Sequence, residues 1–169
     1  MKTLKSEIKV FPATDGPARP LVRYDFVEDP IGDVPAAHVQ FHAPHPELEQ
    51  AMTRADAGTR RGKQRKKRVD SGKSPEASEL HFPVGGRRFR PCLEDVLEVL
   101  IVEFGIRCVD GWRDALADSR ERYRSIQLRA AVHDSPRHAI QELAQMGYRI
   151  EWTGEGQEPT GNAARMREM

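Results

Sequence analysis

The chain has 169 residues, with 27 lysines and arginines against 26 aspartates and glutamates, a net charge of +1 and 38% hydrophobic residues. That length suits one core of ordinary size and is too short for two full-sized domains with a linker. No apolar run approaches the roughly 20 residues of a membrane span. The opening MKTLKSEIKVFP lacks an apolar block followed by a small-residue cleavage site, and Cys92 and Cys108 make no disulfide framework, so a reducing cytoplasm is expected.

Leu4, Ser6, Ile8 and Val10 alternate with Lys5, Glu7 and Lys9, a period of two that predicts a half-buried strand over 4–10. Phe11-Pro12 ends it, and Asp15-Gly16-Pro17 supplies turn chemistry. A second strand is expected over 21–27, with Val22, Tyr24 and Phe26 on one face and Arg23 and Asp25 on the other. A third is expected over 36–43. Val39 and Phe41 fall on its core face, and His38, Gln40 and His42 lie opposite. Pro44 and Pro46 stop it, because proline cannot donate to a ladder. Leu48 and Met52, four residues apart, predict a short helix over 46–57. The basic stretch follows: Arg54–Lys73 holds nine basic and two acidic residues, a local charge of +7. Between Gly58 and Lys73 the one apolar side chain is Val69. So little burial does not offset the entropy of ordering, and a flexible loop over 58–78 is expected.

Leu80-His81-Phe82 predicts a further strand. Gly85-Gly86 supplies the positive φ of a hairpin turn, with a returning strand over 87–90. Pro91 then opens a helix in which Leu93, Val96, Leu97, Leu100, Ile101 and Phe104 form an apolar stripe, and Gly105 caps its end. Asp110 opens a second helix running through residue 131, with Trp112, Leu116, Tyr123, Ile126 and Ala130 on one face. Asp134-Ser135-Pro136 starts a third, which Gly147 stops. A final strand over 148–152 precedes a polar tail, 153–169, expected to fray. This order predicts an α+β fold in a single domain over 1–152: an antiparallel sheet of about five or six strands with two to three helices packed on one face.

If helices cover Val22, Tyr24, Phe26, Val39, Phe41, Leu80 and Phe82, the other sheet face carries Arg23, Asp25, His38, Gln40, His42 and His81, and it can be wet. His38 and His42 are four strand residues apart, roughly 13 Å, too far to share a metal on a straight strand. There is no H-E-x-x-H helix and no paired-cysteine signature, so neither a metal nor a cofactor is expected. Acid–base chemistry fits better. Cleaving a phosphodiester needs a base, an acid and a cation for the charged oxygens. His38 or His42 with His81, Arg23 or Arg88, and Asp25 to orient one imidazole, provide these types near neutral pH. The bland alternative is a solvated polar sheet face. Cys92 falls in the first turn of a helix, where a dipole can lower a thiol pKa; without a nearby base it reads as a small core residue.

The segment Leu80-His81-Phe82-Pro83-Val84-Gly85-Gly86-Arg87-Arg88-Phe89-Arg90-Pro91-Cys92-Leu93-Glu94-Asp95-Val96-Leu97 resembles that of a group of uncharacterised bacterial hypothetical proteins. Leu21–Phe26, Ala37–His42 and Gly111-Trp112-Arg113 share the resemblance, which spans most of 20–150. It implies a bacterial cytosolic protein, in a version shorter at its N-terminus, and carries no activity or site residue.

Two functions follow as expectations. The first is a small nucleic-acid-acting protein of toxin-like type, a metal-independent ribonuclease. It would use His38, His42, His81, Asp25 and Arg23, and hold RNA on Arg60, Arg61, Lys63, Arg65, Lys66, Lys67 and Arg68. The second is a non-enzymatic module docking a protein or nucleic-acid partner through the sheet face or the basic segment. Neither involves a membrane.

Overall fold

Alternating side chains produce three strands where the sequence places them: β1 (Lys5–Val10), β2 (Val22–Val27) and β3 (Ala37–Phe41). A two-residue strand, β4 (Phe82–Pro83), completes an antiparallel sheet of order β1-β2-β3-β4. The computed structural model describes residues 3–13, 18–54 and 58–167. The Asp15-Gly16-Pro17 turn and residues 55–57 of the expected first helix lie outside the described residues. The register sets Arg23 opposite Gln40 and Asp25 opposite His38, so two polar cross-strand pairs lie side by side on one face.

The helices are α1 (Pro46–Arg54), α2 (Arg60–Asp70), α3 (Leu93–Phe104), α4 (Trp112–Asp134) and α5 (Pro136–Gln145), with 3-10 turns at Ala77–Glu79 and Ala163–Met166. The fold is α+β, with four strands rather than five or six and five α-helices rather than two or three among the described residues. The expected strands over 87–90 and 148–152 do not form. Gly85 and Gly86 adopt the expected positive φ, 66° and 57°, but the chain turns back so tightly that Phe89 N–H donates to Gly85 O at 3.0 Å. No ladder can start from a turn closed on itself.

The basic segment expected as a loop is helical over Arg60–Asp70. Arginine, lysine and glutamine lose little rotamer freedom in a helix. Thr59 caps it by accepting from Gly62 N–H at 3.0 Å, and Lys67 and Arg68 sit in the last turn, where the dipole favours cations. Apolar burial was the wrong quantity to weigh: polar anchoring orders this helix.

The described chain separates into two compact units, one up to Arg90 and one from Pro91 onward. In the first, Phe26, Ala36 and Ala37 form a small core against which Val84 packs, and the Arg90 guanidinium lies 3.8 Å above the Phe26 ring. In the second, α3 and α4 meet through polar groups. Arg120 Nε donates to Asp95 Oδ1 at 2.8 Å, and its Nη2 reaches Glu98. Ser119 Oγ donates to Glu94 Oε1 at 2.6 Å. In the tail, Asn162 N–H donates to Asp134 O at 2.8 Å, which ties it to the end of α4.

Candidate functional site

Arg23, Asp25, His38 and His81 come together. Arg23 Nη2 is 2.7 Å from Asp25 Oδ2, and His38 Nε2 is 3.5 Å from the same oxygen. The His38 and His81 rings stack at 4.6 Å between centroids, tilted by 53°. His81 is not on a strand; it lies between the Ala77–Glu79 turn and β4. His42 shares the face of His38 and Gln40 one step beyond β3, where its main-chain N–H donates to Leu21 O, and its side chain makes no hydrogen bond to the other four.

The face expected to be wet is covered. Asp25 is 9% exposed, His38 3% and Gln40 5%. The cover comes from the Ala77–Glu79 turn and α2. Gln40 Nε2 donates to Ser78 O at 2.8 Å and lies 3.1 Å from His81 Nε2. Arg61 Nη2 donates to Glu79 O at 2.5 Å and lies 2.8 Å from His81 Nδ1. Arg68 Nη1 pairs with the Glu79 carboxylate at 2.5 Å. Meanwhile Phe41 and Phe82, expected in the core, are exposed and pack edge to face at 6.0 Å. The sheet therefore buries its polar face beneath the Ser78–His81 stretch, to which α2 is fastened.

The cluster is a frustrated one. Arg23 Nε, Asp25 Oδ1, His38 Nε2 and Gln40 Oε1 are shielded from solvent without a hydrogen bond among the described residues, a costly state for polar atoms. His38 Nδ1 is 2.9 Å from Pro35 O, which fixes the ring with that nitrogen as donor. Burial, then the neighbouring Arg61 and His38, push the His81 imidazole down to about 4. Protonating it would set one new N–H against the Arg61 guanidinium or the Gln40 amide nitrogen, where donor faces donor. His81 is therefore neutral at pH 7, able to accept a proton and not to donate one as an imidazolium. His42 is also lowered, by burial and then by Arg23 and Arg19. Among the described residues no group of histidines, cysteines and carboxylates is arranged to hold a metal ion.

All seven basic residues proposed to contact nucleic acid lie on α2, and they divide by face. Arg61, Arg65 and Arg68 point inward and are half-buried, while Arg60, Lys63, Lys66 and Lys67 are exposed. Sequence reasoning missed the inward arginine face, on which Arg61 and Arg68 are structural anchors. Its signal was present as arginine at 61, 65 and 68, the i, i+4, i+7 positions of one helix face, with lysine at 63, 66 and 67.

Cys92 is buried at the start of α3, and its Sγ–H donates to Asp95 Oδ2 at 3.2 Å. Burial, then Glu94 and Asp95, raise its thiol to about 11. It is a core residue. No described helix is long and apolar enough to cross a membrane. No protein-family model matches the chain, and neither a curated protein nor a solved structure is similar to it.

Proposed function

We propose that the protein binds RNA, or another nucleic acid, in the cytoplasm, with the outer face of α2 tracking the phosphate backbone. The observation that carries this reading is the division of α2 into an anchored arginine face and an exposed face bearing Arg60, Lys63, Lys66 and Lys67. Anchoring holds the outer charges in a fixed array roughly one helical turn apart. A fixed array loses less entropy on binding than a mobile arm carrying the same charges. The absence of aromatic residues along the helix leaves nothing to stack on bases, so contact is with phosphates and independent of sequence.

Each phosphate neutralised releases condensed counterions, and the affinity falls with salt accordingly. Replacing Arg60, Lys63, Lys66 and Lys67 together by glutamine should reduce the slope of log affinity against log salt by about 3 on single-stranded RNA. Filter binding at several salt concentrations measures this. An unchanged affinity and slope in the variant would exclude α2 as the contact.

A second reading is favoured by the convergence of Arg23, Asp25, His38 and His81: a metal-independent ribonuclease. Once entering substrate has parted Arg61 from His81, that imidazole accepts the proton of the attacking 2′-hydroxyl, Arg23 neutralises the phosphoryl oxygens, and protonated His38, oriented by Pro35 O and facing Asp25, supplies the leaving-group proton. Substrate would have to enter beneath α2, because His38 and Asp25 are buried. Mixed RNA incubated in chelator with the native protein and a His38→Ala/His81→Ala variant tests it. Degradation lost in the variant supports catalysis, whereas equal degradation by both, or none by either, ends that reading.

A further inference from the structure

We infer that His81 is an acid-labile latch, whose protonation releases the basic helix α2 from the Glu79–His81 stretch that covers the polar face of the sheet. The inference rests on the arrangement around one imidazole and stands apart from what the exposed face of α2 binds. Two side chains of α2 are fastened to the same short stretch, Arg61 to Glu79 O and His81 Nδ1, and Arg68 to the Glu79 carboxylate. His81 lies inside that fastening, between Arg61 on one side and Gln40 and His38 of β3 on the other.

The groups facing His81 are nearly all cationic or donors. From α2 comes the Arg61 guanidinium, 2.8 Å away. From β3 come the His38 ring and the Gln40 amide nitrogen. From β2, Arg23 acts at longer range, and its charge is partly met by Asp25. Among the described residues the one acceptor contact is the main-chain oxygen of Glu79, at 3.1 Å, which Arg61 already shares. The Glu79 carboxylate, the nearest anion by sequence, is turned to Arg68. A proton added here has only Glu79 O, already engaged by Arg61, to offset the charge of Arg61 in a desolvated site.

Displacing α2 removes Arg61 and lets the imidazole reach water, where it binds a proton at the ordinary histidine value of about 6.5. The docked form holds the proton only at about 4. Between those values the released form takes up a proton that the docked form refuses, so acid favours release. By linkage the equilibrium shifts by up to about tenfold per pH unit.

Hydrogen exchange of the α2 amides, corrected for intrinsic rates, tests this between about pH 6.5 and pH 5, where ordinary carboxylates stay ionised. In the native protein, α2 protection should fall by up to about tenfold per pH unit, while central α4 amides hold theirs. In His81→Gln, which cannot protonate, α2 protection should be flat. A flat native profile, or an equal fall in both proteins, overturns the latch. Should the glutamine variant not fold, the native protein still decides by NMR titration of the His81 ring. A midpoint well below about 6.5 that tracks the loss of α2 protection supports the latch. Titration at the ordinary value with α2 still protected overturns it.

Discussion

Asp25 and His38 occupy positions where alternation alone makes them solvent-facing, and both are buried. What reverses their setting is not their own strand but the stretch that packs over it: the His81 ring lies on His38, and Ser78 O accepts from neighbouring Gln40. The energetic consequence falls on His81. Its folded value of about 4 lies below the unfolded value near 6.5, so the unfolded chain binds more protons between them, and stability rises with pH across that window. The contribution is complete above about pH 6.5 and is lost as pH falls toward 4. His81 is partly exposed, and solvent screening leaves on the order of 1 kcal/mol. Urea unfolding at pH 7 and pH 4.5 should show this loss in the native protein and a smaller one in His81→Gln; equal losses would show that His81 is not the source. A second residue-scale outcome concerns the thiols. Two pKa units above the ordinary range make Cys92 roughly 100-fold less populated as thiolate. Iodoacetamide at mildly alkaline pH should modify exposed Cys108 well before buried Cys92, as read by peptide mass, and comparable rates would contradict the buried thiol.

Elements were legible wherever one physical signal decided them. The period of two in Leu4–Val10 and Val22–Val27 found β1 and β2 within a residue. The apolar stripe Leu93–Phe104 with Gly105 after it fixed α3, whose C-cap has φ of 64°. Segments decided by contacts distant in sequence were not legible. Helix α2 depends on Glu79 and His81, nine and eleven residues beyond its end, and the polar face is covered by that same stretch. The convergence of Arg23, Asp25 and His38 was legible because antiparallel pairing places alternate residues together; their burial was not. The polar seam between α3 and α4 shows the same limit. Arg120 and Arg124 lie off the predicted apolar face of their helix, yet both pair with Asp95. Burial alone would raise the Asp95 carboxyl, but hydrogen bonds from Cys92 and Arg120 outweigh it and hold it below the usual range. Asp95 also caps α3 through Cys92 N–H at 3.0 Å. Asp95→Ala should therefore destabilise α3 by about 1–2 kcal/mol, the range of a lost cap, seen as lower helical ellipticity and earlier melting; an unchanged melt would show the seam to be inert. In the first unit, Gly85→Ala should be costly on two counts. Its φ is 66°, and an added Cβ would meet Phe89 O at 2.1 Å, so the tight turn must open and the loss should exceed about 1 kcal/mol.

At the scale of the whole molecule, the two units differ in how they are held. The unit up to Arg90 contains the buried strand residues Phe26, Ala36, Ala37, Val39 and the polar cluster. From Pro91 onward the buried residues among those described are Cys92, Val96 and Asp134, while Phe104 is 66% exposed and Ile126 60%. Apolar burial is the main stabilising term in folding, and polar contacts near water contribute far less each. The second unit, joined chiefly by Arg120 and its acids, should thus unfold more readily than the first, and the molecule should not behave as a single two-state system. The tryptophans make this measurable, since Trp112 and Trp152 both belong to the second unit. Heating should change tryptophan fluorescence before β2 and β3 amides lose hydrogen-exchange protection. Added salt should widen the gap, because it screens the Arg120–Asp95 and Arg124–Asp95 pairs of the second unit and leaves the apolar core of the first intact. Coincident transitions by both probes at every salt concentration would instead mean that the units stand or fall together.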